Sequence, residues 1–308
     1  MANSNRVGLI GLGKMGFPVA ENLLEKGFEV VATDVNREAV AEIAKKGAVS
    51  PSSIKELSEK LKSPKMIIVL VPADVVDNAL DELSSTLSKG DIILECGNSF
   101  YRDSQKRAKK LAEKGIVFLD VGMSGGVSGA RHGACLMIGG DEKAFEKAKP
   151  LFEALSKNGS YQYLGKSGSG HLAKGYHNLA EYGYLQSLAE SLSTINSISE
   201  KENLGIGPLN ACEIWNKGSI VESRISRDAE TALRNNPSLE GISGSVTGQT
   251  HREMEKLVGI ANDYGIEVPS CAAAVKARAD SRKNPTFAGK ITNAIRTVFG
   301  GHAEWKKR

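Results

Sequence analysis

Residues 7–16 read VGLIGLGKMG, an apolar strand that runs directly into a turn with three glycines. The spacing G-x-G-x-x-G, placed between a strand and a helical pattern, is typical of a dinucleotide-binding βαβ unit. The first glycine permits a tight turn, the second lets the backbone approach a pyrophosphate, and the third lets the helix pack on the strand. Free N–H groups at the start of the helix are expected to bind the phosphates. We therefore predict cofactor contacts from Gly11, Leu12, Gly13, Lys14, Met15 and Gly16.

Outward from this turn, short apolar runs alternate with amphipathic stretches up to about Gly165. The runs are VGLIG, EVVATD, MIIVLVP, DIILEC, VFLDVGM, CLMIGG and YQYLG. This alternation predicts a Rossmann-type, doubly wound α/β sheet that is mainly parallel, with helices on both faces. The later sequence has helical patterns interrupted by proline and glycine, beginning with one long helix that reaches about Glu200. We predict an α/β dinucleotide-binding domain over residues 1–166 and an all-α domain over residues 167–308.

The second apolar run ends at Asp34, about 20 residues after the glycine turn, where the fingerprint places an acidic residue. Its carboxylate is expected to accept hydrogen bonds from the adenosine ribose hydroxyls and to repel a 2′-phosphate, which favours NAD over NADP. Arg37 leaves NADP as the alternative, because a nearby guanidinium can bind that phosphate or can simply be solvated. We predict Asp34, Asn36 and Arg37 as cofactor contacts.

Three further loops follow predicted strands, at the edge where doubly wound sheets bind ligands. Val71 and Pro72 are expected to border the cofactor, although a plain turn is the alternative. Asn98 is expected to contact the nicotinamide or the substrate. The third loop contains Ser124, Gly125 and Gly126, whose consecutive N–H groups form either an anion-binding nest for a carboxylate or a flexible surface loop.

The segment AKGYHNLAEYG places five polar residues on one face of the predicted long helix: Lys174, His177, Asn178, Glu181 and Tyr182. A solvated polar stripe is the alternative interpretation of this spacing. The segment begins just after the domain junction, where a cleft is expected. A partly desolvated lysine can act as a base there, and a glutamate can act as an acid.

Composition excludes several function classes. The 308 residues carry 40 basic and 36 acidic side chains, without the basic stripe typical of nucleic-acid binders. No apolar run approaches the length of a membrane span, and the start does not resemble a signal peptide. We therefore expect a cytoplasmic protein with no nucleic-acid or membrane partner. The four cysteines form no C-x-x-C pair, so we expect no metal site and interpret them as buried free thiols.

Taken together, these motifs resemble the decarboxylating 6-phosphogluconate dehydrogenases in their short-chain form, within the β-hydroxyacid dehydrogenase superfamily. The resemblance covers nearly the whole chain and rests on GLGKMG, ECGNSFYRDS, GMSGGVSGARHG, KGYHNLAEYG and RTVFGGH. It implies oxidation and decarboxylation of 6-phosphogluconate to ribulose 5-phosphate in the pentose phosphate pathway, with Lys174 as base and Glu181 as acid. It also implies contacts to the substrate carboxylate and hydroxyls from Asn98, Ser124, Gly125, Gly126, His177 and Asn178.

For the distal phosphate, the resemblance implies Tyr182, Arg278 and Arg296, assisted by His302. In this family the tail arginine and histidine enter the neighbouring subunit, which implies a homodimer or homotetramer. The region ISGSVTGQTHREME departs from the family, because only Gly248, Gln249 and Thr250 look comparable and the phosphate-binding lysine has no evident match. A sugar acid with another anionic end group is therefore an alternative substrate.

Two other functions stay open. A β-hydroxyacid dehydrogenase of the 3-hydroxyisobutyrate or tartronate semialdehyde type shares the glycine turn, the Ser-Gly-Gly loop and the lysine. The pairing of His177 with Glu181 and the RTVFGGH tail favour the 6-phosphogluconate reaction over it. A dinucleotide-sensing module without turnover is the second alternative, although such a module needs neither Lys174 nor Glu181.

Overall fold

The computed structural model describes residues 5–248 and 250–301, and the chain divides into two compact units, Met1–Gly175 and Tyr176–Arg308. The first unit contains seven strands: β1 (Arg6–Ile10), β2 (Glu29–Thr33), β3 (Met66–Val69), β4 (Ile92–Glu95), β5 (Val117–Ser124), β6 (Ala134–Gly140) and β7 (Ser156–Gly165). Its helices are α1 (Gly16–Glu25), α2 (Arg37–Lys45), α3 (Ile54–Glu59), α4 (Val76–Ser84), α5 (Tyr101–Ala112), α6 (Gly126–His132) and α7 (Glu142–Leu155).

The seven strands form one sheet in the order β2-β1-β3-β4-β5-β6-β7, and β1 to β5 are all parallel. The predicted Rossmann-type sheet is therefore confirmed. Strand β6 runs antiparallel to β5, and β7 runs parallel to β6. The direction changes because only residues 125–133 separate β5 from β6, and a parallel crossover needs about a dozen residues or more.

Apolar cores cover both faces of the sheet. One contains Leu9, Leu23 and Phe152, from β1, α1 and α7. The other contains Leu57, Leu83 and Ile93, from α3, α4 and β4. Strands buried on both faces read as continuous apolar runs, which explains why they are recognisable in the sequence. Several helices begin at polar caps that the sequence displays, such as Asn36, whose Oδ1 accepts from the N–H groups of Glu38 and Ala39.

The remaining helices are α8 (Ser169–Glu202), α9 (Pro208–Trp215), α10 (Arg224–Asn235), α11 (His251–Asp263), α12 (Pro269–Ser281) and α13 (Phe287–Gly300). The second unit has its own apolar core, built around Leu185, Leu192, Leu233 and Ile291. The predicted all-α region after the sheet is confirmed within the described residues. The predicted domain boundary, 166/167, falls between β7 and α8, whereas α8 itself continues across the division between the compact units. No helix in the described part of the chain is both long and apolar enough to span a membrane.

Candidate active site

The glycine turn has the shape that a bound pyrophosphate requires. A β-carbon on Gly11 would overlap the carbonyl of Leu70, and one on Gly16 would overlap the carbonyl of Gly11. A β-carbon on Gly13 would meet nothing within 4 Å. Gly11 and Gly16 are therefore needed for close packing within the protein, whereas Gly13 leaves an open space beside the start of α1. That space fits a dinucleotide phosphate approaching the helix N-terminus.

Asp34 ties the end of β2 to the glycine turn. Its Oδ2 accepts a hydrogen bond from the Leu12 N–H at 2.6 Å, and its Oδ1 accepts one from the Asn36 N–H at 2.7 Å. Asn36 in turn caps α2, so the three residues form one rigid corner. The carboxylate lies at the sheet edge where the adenosine ribose is expected, and Arg37 begins α2 beside it with an exposed side chain.

The parallel arrangement of β1 to β5 brings the other predicted loops to the same edge. Val71 and Pro72 follow β3, and a β-carbon on Gly97 would lie 3.1 Å from the Val71 carbonyl oxygen. Asn98, which follows β4, is exposed between the buried residues Gly97 and Ser99. The structure thus places the glycine turn, Val71 and Asn98 along one continuous row of loops.

Ser124 is the last residue of β5, and Gly125 and Gly126 follow it at the start of α6. Gly125 has φ 131° and Gly126 has φ 63°, which are backbone conformations that side chains other than glycine rarely adopt. The two glycines are therefore required by the turn itself. Their N–H groups remain candidates for binding a carboxylate.

Lys174 lies directly against the sheet. Its side chain is 8% exposed, and a β-carbon on Gly122 of β5 would overlap the Lys174 Cβ. One turn earlier in α8, a β-carbon on Gly170 would overlap the carbonyls of Asp120 and Met137. Asp120 also binds the start of α8, because its Oδ1 accepts from the Gly168 N–H at 2.7 Å and its Oδ2 from the His171 N–H at 3.0 Å. The lysine is therefore held in a fixed position on the first unit.

The other polar residues of α8 follow in the second unit. Asn178 is buried, His177 is half-buried, and the His177 Nδ1 lies 3.2 Å from the Asn178 Oδ1. Glu181 is half-buried and Tyr182 is 4% exposed. The burial of Asn178 and Tyr182 argues against a fully solvated stripe.

Tyr182 is part of a buried cationic cluster, which we define as Tyr182, Arg278 and Arg296. The Arg278 Cζ lies 3.2 Å from the Tyr182 ring centroid, and Arg278 is only 4% exposed. Its Nε and Nη2 have no hydrogen-bond partner among the described residues. Burial lowers the pKa of Arg278 to about 10, so its side chain is still a cation at neutral pH. Arg296 is 7% exposed and donates from Nη1 to the Asn293 Oδ1 at 2.9 Å.

The segment that departs from the family motif lies against this cluster. A β-carbon on Gly248 would lie 3.1 Å from the Arg296 Nη2, and the Thr250 Oγ1 is hydrogen-bonded to the Tyr182 hydroxyl at 2.9 Å. His251, the first residue of α11, is 5% exposed, and its Nδ1 has no partner among the described residues. Its Nε2 lies 3.2 Å from the Glu255 Oε1. These contacts create a buried, positively charged site that can bind an anion.

Comparison with known families decides the relationship. Residues 6–165 match the NAD binding domain of 6-phosphogluconate dehydrogenase, and residues 189–306 match the 6-phosphogluconate dehydrogenase C-terminal domain. The chain belongs to the 6-phosphogluconate dehydrogenase family. It is therefore an oxidoreductase that binds NAD or NADP, and the resemblance of its motifs to this family is confirmed.

Relatives of similar length support this assignment. YqeC of Bacillus subtilis, named provisionally as a 6-phosphogluconate dehydrogenase, is 38% identical over 98% of this chain and 100% of the relative. An NAD(+)-dependent, decarboxylating 6-phosphogluconate dehydrogenase of Haloferax volcanii is 33% identical over 98% of this chain and 99% of the relative. Both have the length of the present chain.

Solved structures share the fold. The Plasmodium falciparum 6-phosphogluconate dehydrogenase, studied as the apo form and with NADP+ and 6-phosphogluconate, is 29% identical with a TM-score of 0.77. The match covers 90% of the present chain and 62% of that longer protein. The Mycobacterium tuberculosis 3-hydroxyisobutyrate dehydrogenase gives a TM-score of 0.73 at 20% identity, covering 94% and 98% of the two chains, and so shares the fold.

Within this dehydrogenase, the predicted cofactor residues lie on adjoining loops at one sheet edge. His302 lies outside the described residues, and the role of Arg296 at a neighbouring subunit stays a prediction.

The expectation that the cysteines are buried needs correction. Cys96 and Cys212 are buried, and burial raises the pKa of Cys212 to about 12, but Cys135 is exposed and Cys271 is half-buried. Cys135 lies on β6, where alternate side chains point away from the core.

The sequence patterns do not identify four residues that shape the candidate site: Glu95, Asp120, His171 and His251. The first two are carboxylates within apolar strand runs and are completely buried. A buried charge needs partners, so acidic residues in the runs DIILEC and VFLDVGM are a signal that could have identified them. Neither histidine has a comparable local signal, because its burial depends on packing between elements distant in sequence.

Proposed function

We propose that this dehydrogenase oxidises and decarboxylates 6-phosphogluconate to ribulose 5-phosphate and CO2. The observation that carries this proposal is the buried Arg278, whose Nε and Nη2 have no hydrogen-bond partner in the described part of the chain and favour an anionic substrate group beside Tyr182. An isolated buried cation is unfavourable, and a phosphate that accepts its hydrogen bonds compensates for the lost hydration. Thr250 and His251 adjoin the same cluster and supply further donors.

The charge of a terminal phosphate supports this substrate over the smaller hydroxy acids. Arg278 is buried, and its Nε and Nη2 have no hydrogen-bond partner among the described residues. A three- or four-carbon hydroxy acid with a single carboxylate has no second anionic group for this guanidinium.

In the proposed reaction, Lys174 Nζ takes the proton of the substrate C3 hydroxyl. Bound nicotinamide supplies the acceptor for the C3 hydride. The resulting 3-keto acid loses CO2, because the electrons of the breaking C1–C2 bond pass into the C3 carbonyl. Protonated Lys174 stabilises the enolate oxygen that forms, and Glu181 then donates a proton to substrate C2, which becomes C1 of ribulose 5-phosphate. Asn98, Ser124, Gly125, Gly126, His177 and Asn178 hold the carboxylate and hydroxyls in this proposal.

For the cofactor, we propose that NAD is preferred over NADP. The support is the Asp34 carboxylate, which the N–H groups of Leu12 and Asn36 hold at the end of β2. A fixed negative charge at this position repels a 2′-phosphate, and the alternative role of Arg37 as a phosphate ligand predicts the opposite preference. We also propose a homodimer or homotetramer, in which the tail that carries His302 enters the neighbouring subunit's site, whereas Arg296 lies in the buried cationic cluster of its own chain. The proposed domains span residues 1–166 and 167–308.

Steady-state assays test this proposal directly. NAD and NADP are each supplied with 6-phosphogluconate, gluconate or 3-hydroxyisobutyrate, and both NAD(P)H formation and CO2 release are measured. We expect efficient CO2 release only from 6-phosphogluconate, with NAD as the better cofactor. Oxidation of 3-hydroxyisobutyrate without gas supports the small-acid alternative, and cofactor binding without turnover supports the sensing module.

Glu181→Gln is expected to slow pentulose formation about 100- to 10,000-fold, since it removes the proton donor.

A further inference from the structure

We propose that Glu95 and His171 are positioning residues that hold the Asn98 loop and the Lys174 turn of α8 in a single arrangement. This inference rests on the proposed function for the roles of Asn98 and Lys174. Neither Glu95 nor His171 belongs to the predicted substrate or cofactor contacts. Both lie in the interior of the first unit, where Glu95 is 0% exposed and His171 is 2% exposed.

Glu95 and Arg107 hold the two residues on either side of Asn98. The Glu95 Oε1 accepts a hydrogen bond from the Gly97 N–H at 2.9 Å. The Arg107 Nη1 donates to the Ser99 Oγ at 2.8 Å and lies 3.5 Å from the Glu95 Oε2. Asn98 itself is exposed. The loop therefore exposes Asn98 at the edge of the sheet where ligands are expected. Hydrogen bonds with Glu95 and Arg107 hold the adjacent residues, Gly97 and Ser99.

Arg107 is itself held in place by a second carboxylate. Its Nε donates to the Asp77 Oδ1 at 2.7 Å, and its Nη2 donates to the Asp77 Oδ2 at 3.3 Å. This two-point interaction fixes the plane of the guanidinium group. Asp77 therefore holds the Arg107 side chain in the orientation that directs its Nη1 towards Ser99 and Glu95.

His171 connects the same carboxylate to α8. Its Nδ1 shares a hydrogen bond with the Ser104 Oγ at 2.7 Å and lies 3.6 Å from the Glu95 Oε2. Its backbone N–H donates to the Asp120 Oδ2. His171 and Lys174 are three residues apart, so they are neighbours on one face of the helix. Glu95 thus adjoins both the loop that carries Asn98 and the helical turn that carries Lys174.

The chemistry of this cluster favours a geometric role over a stabilising one. Buried ion pairs lose so much hydration that apolar side chains of similar volume often stabilise a protein more. A buried network can instead specify one arrangement of the elements that it joins. In this cluster the carboxylate of Glu95, the guanidinium of Arg107 and the His171 Nδ1 all have defined partners, and the His171 Nε2 has none among the described residues. Positioning matters to rate because a displacement of about 1 Å between reacting groups can reduce turnover about 100-fold.

The test compares His171→Leu with His171→Asn in the full-length enzyme, using the hydroxy acid that the wild type oxidises. We expect His171→Leu to lower kcat about 10- to 100-fold, with the substrate KM and the Kd for NADH within about two-fold of wild type. His171→Asn keeps a polar group near the Nδ1 position, so it should restore part of the lost kcat. If His171 only stabilised the fold, His171→Leu would not lower kcat while leaving the substrate KM nearly unchanged.

Glu95→Gln has a matched control in Asp91, the residue that immediately precedes the same strand, β4. Asp91 is also completely buried, and its carboxylate accepts from the Lys65 N–H at 2.8 Å and the Ser88 N–H at 2.9 Å. Asp91→Asn should lower the unfolding temperature and leave kcat unchanged. Glu95→Gln retains an acceptor for the Gly97 N–H but loses the charge facing Arg107 and His171, so it should lower kcat.

Hydrogen–deuterium exchange gives a readout that does not depend on turnover. In His171→Leu, we expect faster amide exchange in the peptide covering residues 96–104, which is distant in sequence from the substitution. Unchanged exchange there, an unchanged kcat in folded His171→Leu, or an equal loss of kcat in Asp91→Asn would overturn the inference. Failure of the proposed function is distinguished by the wild type itself, which would then release no CO2 from 6-phosphogluconate.

Discussion

The Lys174 region and the Arg278 region both bury charged side chains, but they satisfy those charges differently. Near Lys174, the oxygens of Asp120 accept from the N–H groups of Gly168 and His171, and those of Glu95 face Gly97 and Arg107. Near Tyr182, Arg278 has two buried nitrogens without a hydrogen-bond partner among the described residues. The first region forms most of its hydrogen bonds within the protein, although the buried His171 Nε2 and Ser169 Oγ have no partner among the described residues. The second region has charged donors available to a ligand.

This difference distinguishes a scaffold from a binding site. Hydrogen bonds that are already formed fix side chains before substrate arrives, which favours catalysis by preorganised groups. Buried donors without partners destabilise the ligand-free protein and acquire their partners on binding. We therefore expect substitutions near Lys174 to act mainly on turnover, whereas loss of the Arg278 donors should weaken substrate binding without destabilising the ligand-free protein.

The largest effect is expected for Lys174→Met. Removal of the proposed base should lower kcat by about 1,000-fold or more, while the Kd for NADH stays within about two-fold. Stopped-flow hydride transfer and NADH fluorescence titration measure the two quantities. Lys166→Met removes an exposed lysine just before α8 and serves as the control, with wild-type rates expected. Normal turnover by Lys174→Met would remove this residue from the mechanism.

Arg278→Met should lower kcat/KM for 6-phosphogluconate about 100- to 1,000-fold, because a buried charged donor to the phosphate is lost. The corresponding value for gluconate should change less than about three-fold. The ligand-free variant should unfold at the same temperature as wild type or higher, since it loses a buried cation whose Nε and Nη2 have no hydrogen-bond partner among the described residues. Scanning calorimetry without phosphate measures this change.

Lys276→Met is the control for Arg278→Met, because Lys276 is an exposed residue of α12 paired with Asp280. It should leave both substrates and the unfolding temperature unaffected. Equal losses with 6-phosphogluconate and gluconate in Arg278→Met would contradict a role at the distal phosphate.

Asp34→Asn should shift the ratio of kcat/KM for NAD over NADP about 10-fold towards NADP. The variant loses the charge that repels a 2′-phosphate, although the amide oxygen can still accept one of the two backbone hydrogen bonds. Glu38→Gln removes a nearby charge from the first turn of α2 and controls for general electrostatics. An unchanged ratio in Asp34→Asn would indicate that another residue, such as Arg37, determines the preference.

The smallest effect concerns His251 and pH. Burial, reinforced by Arg282, lowers the pKa of His251 below its usual value of 6.5. The unfolded chain therefore binds this proton more readily than the folded enzyme, so stability should decline as the pH falls below about 6.5. His251→Gln should reduce the loss of unfolding temperature between pH 7.5 and pH 5.5. If the two proteins lose equal stability over this range, His251 does not contribute to it.

The comparison also explains which parts of the site could be predicted. Local patterns predicted the glycine turn, the strand that ends at Asp34 and the polar face beginning at Lys174, because backbone geometry and periodicity are properties of short segments. The reversed direction of β6 also has a local cause in its short connection. By contrast, the contact of Glu95 with His171 joins residues 76 positions apart, and periodicity carries no information about such a pairing.

The sequence by itself determined the α/β unit followed by helices, the order of the loops along the chain and the kinds of side chain available for chemistry. These features follow from hydrophobic periodicity, glycine spacing and residue type, all of which act over a few positions. Only the tertiary structure decided that Lys174 lies against Gly122 and that two buried donors of Arg278, Nε and Nη2, have no partner within residues 5–248 and 250–301. Burial and hydrogen-bond satisfaction arise when distant segments pack, so they depend on the folded chain as a whole.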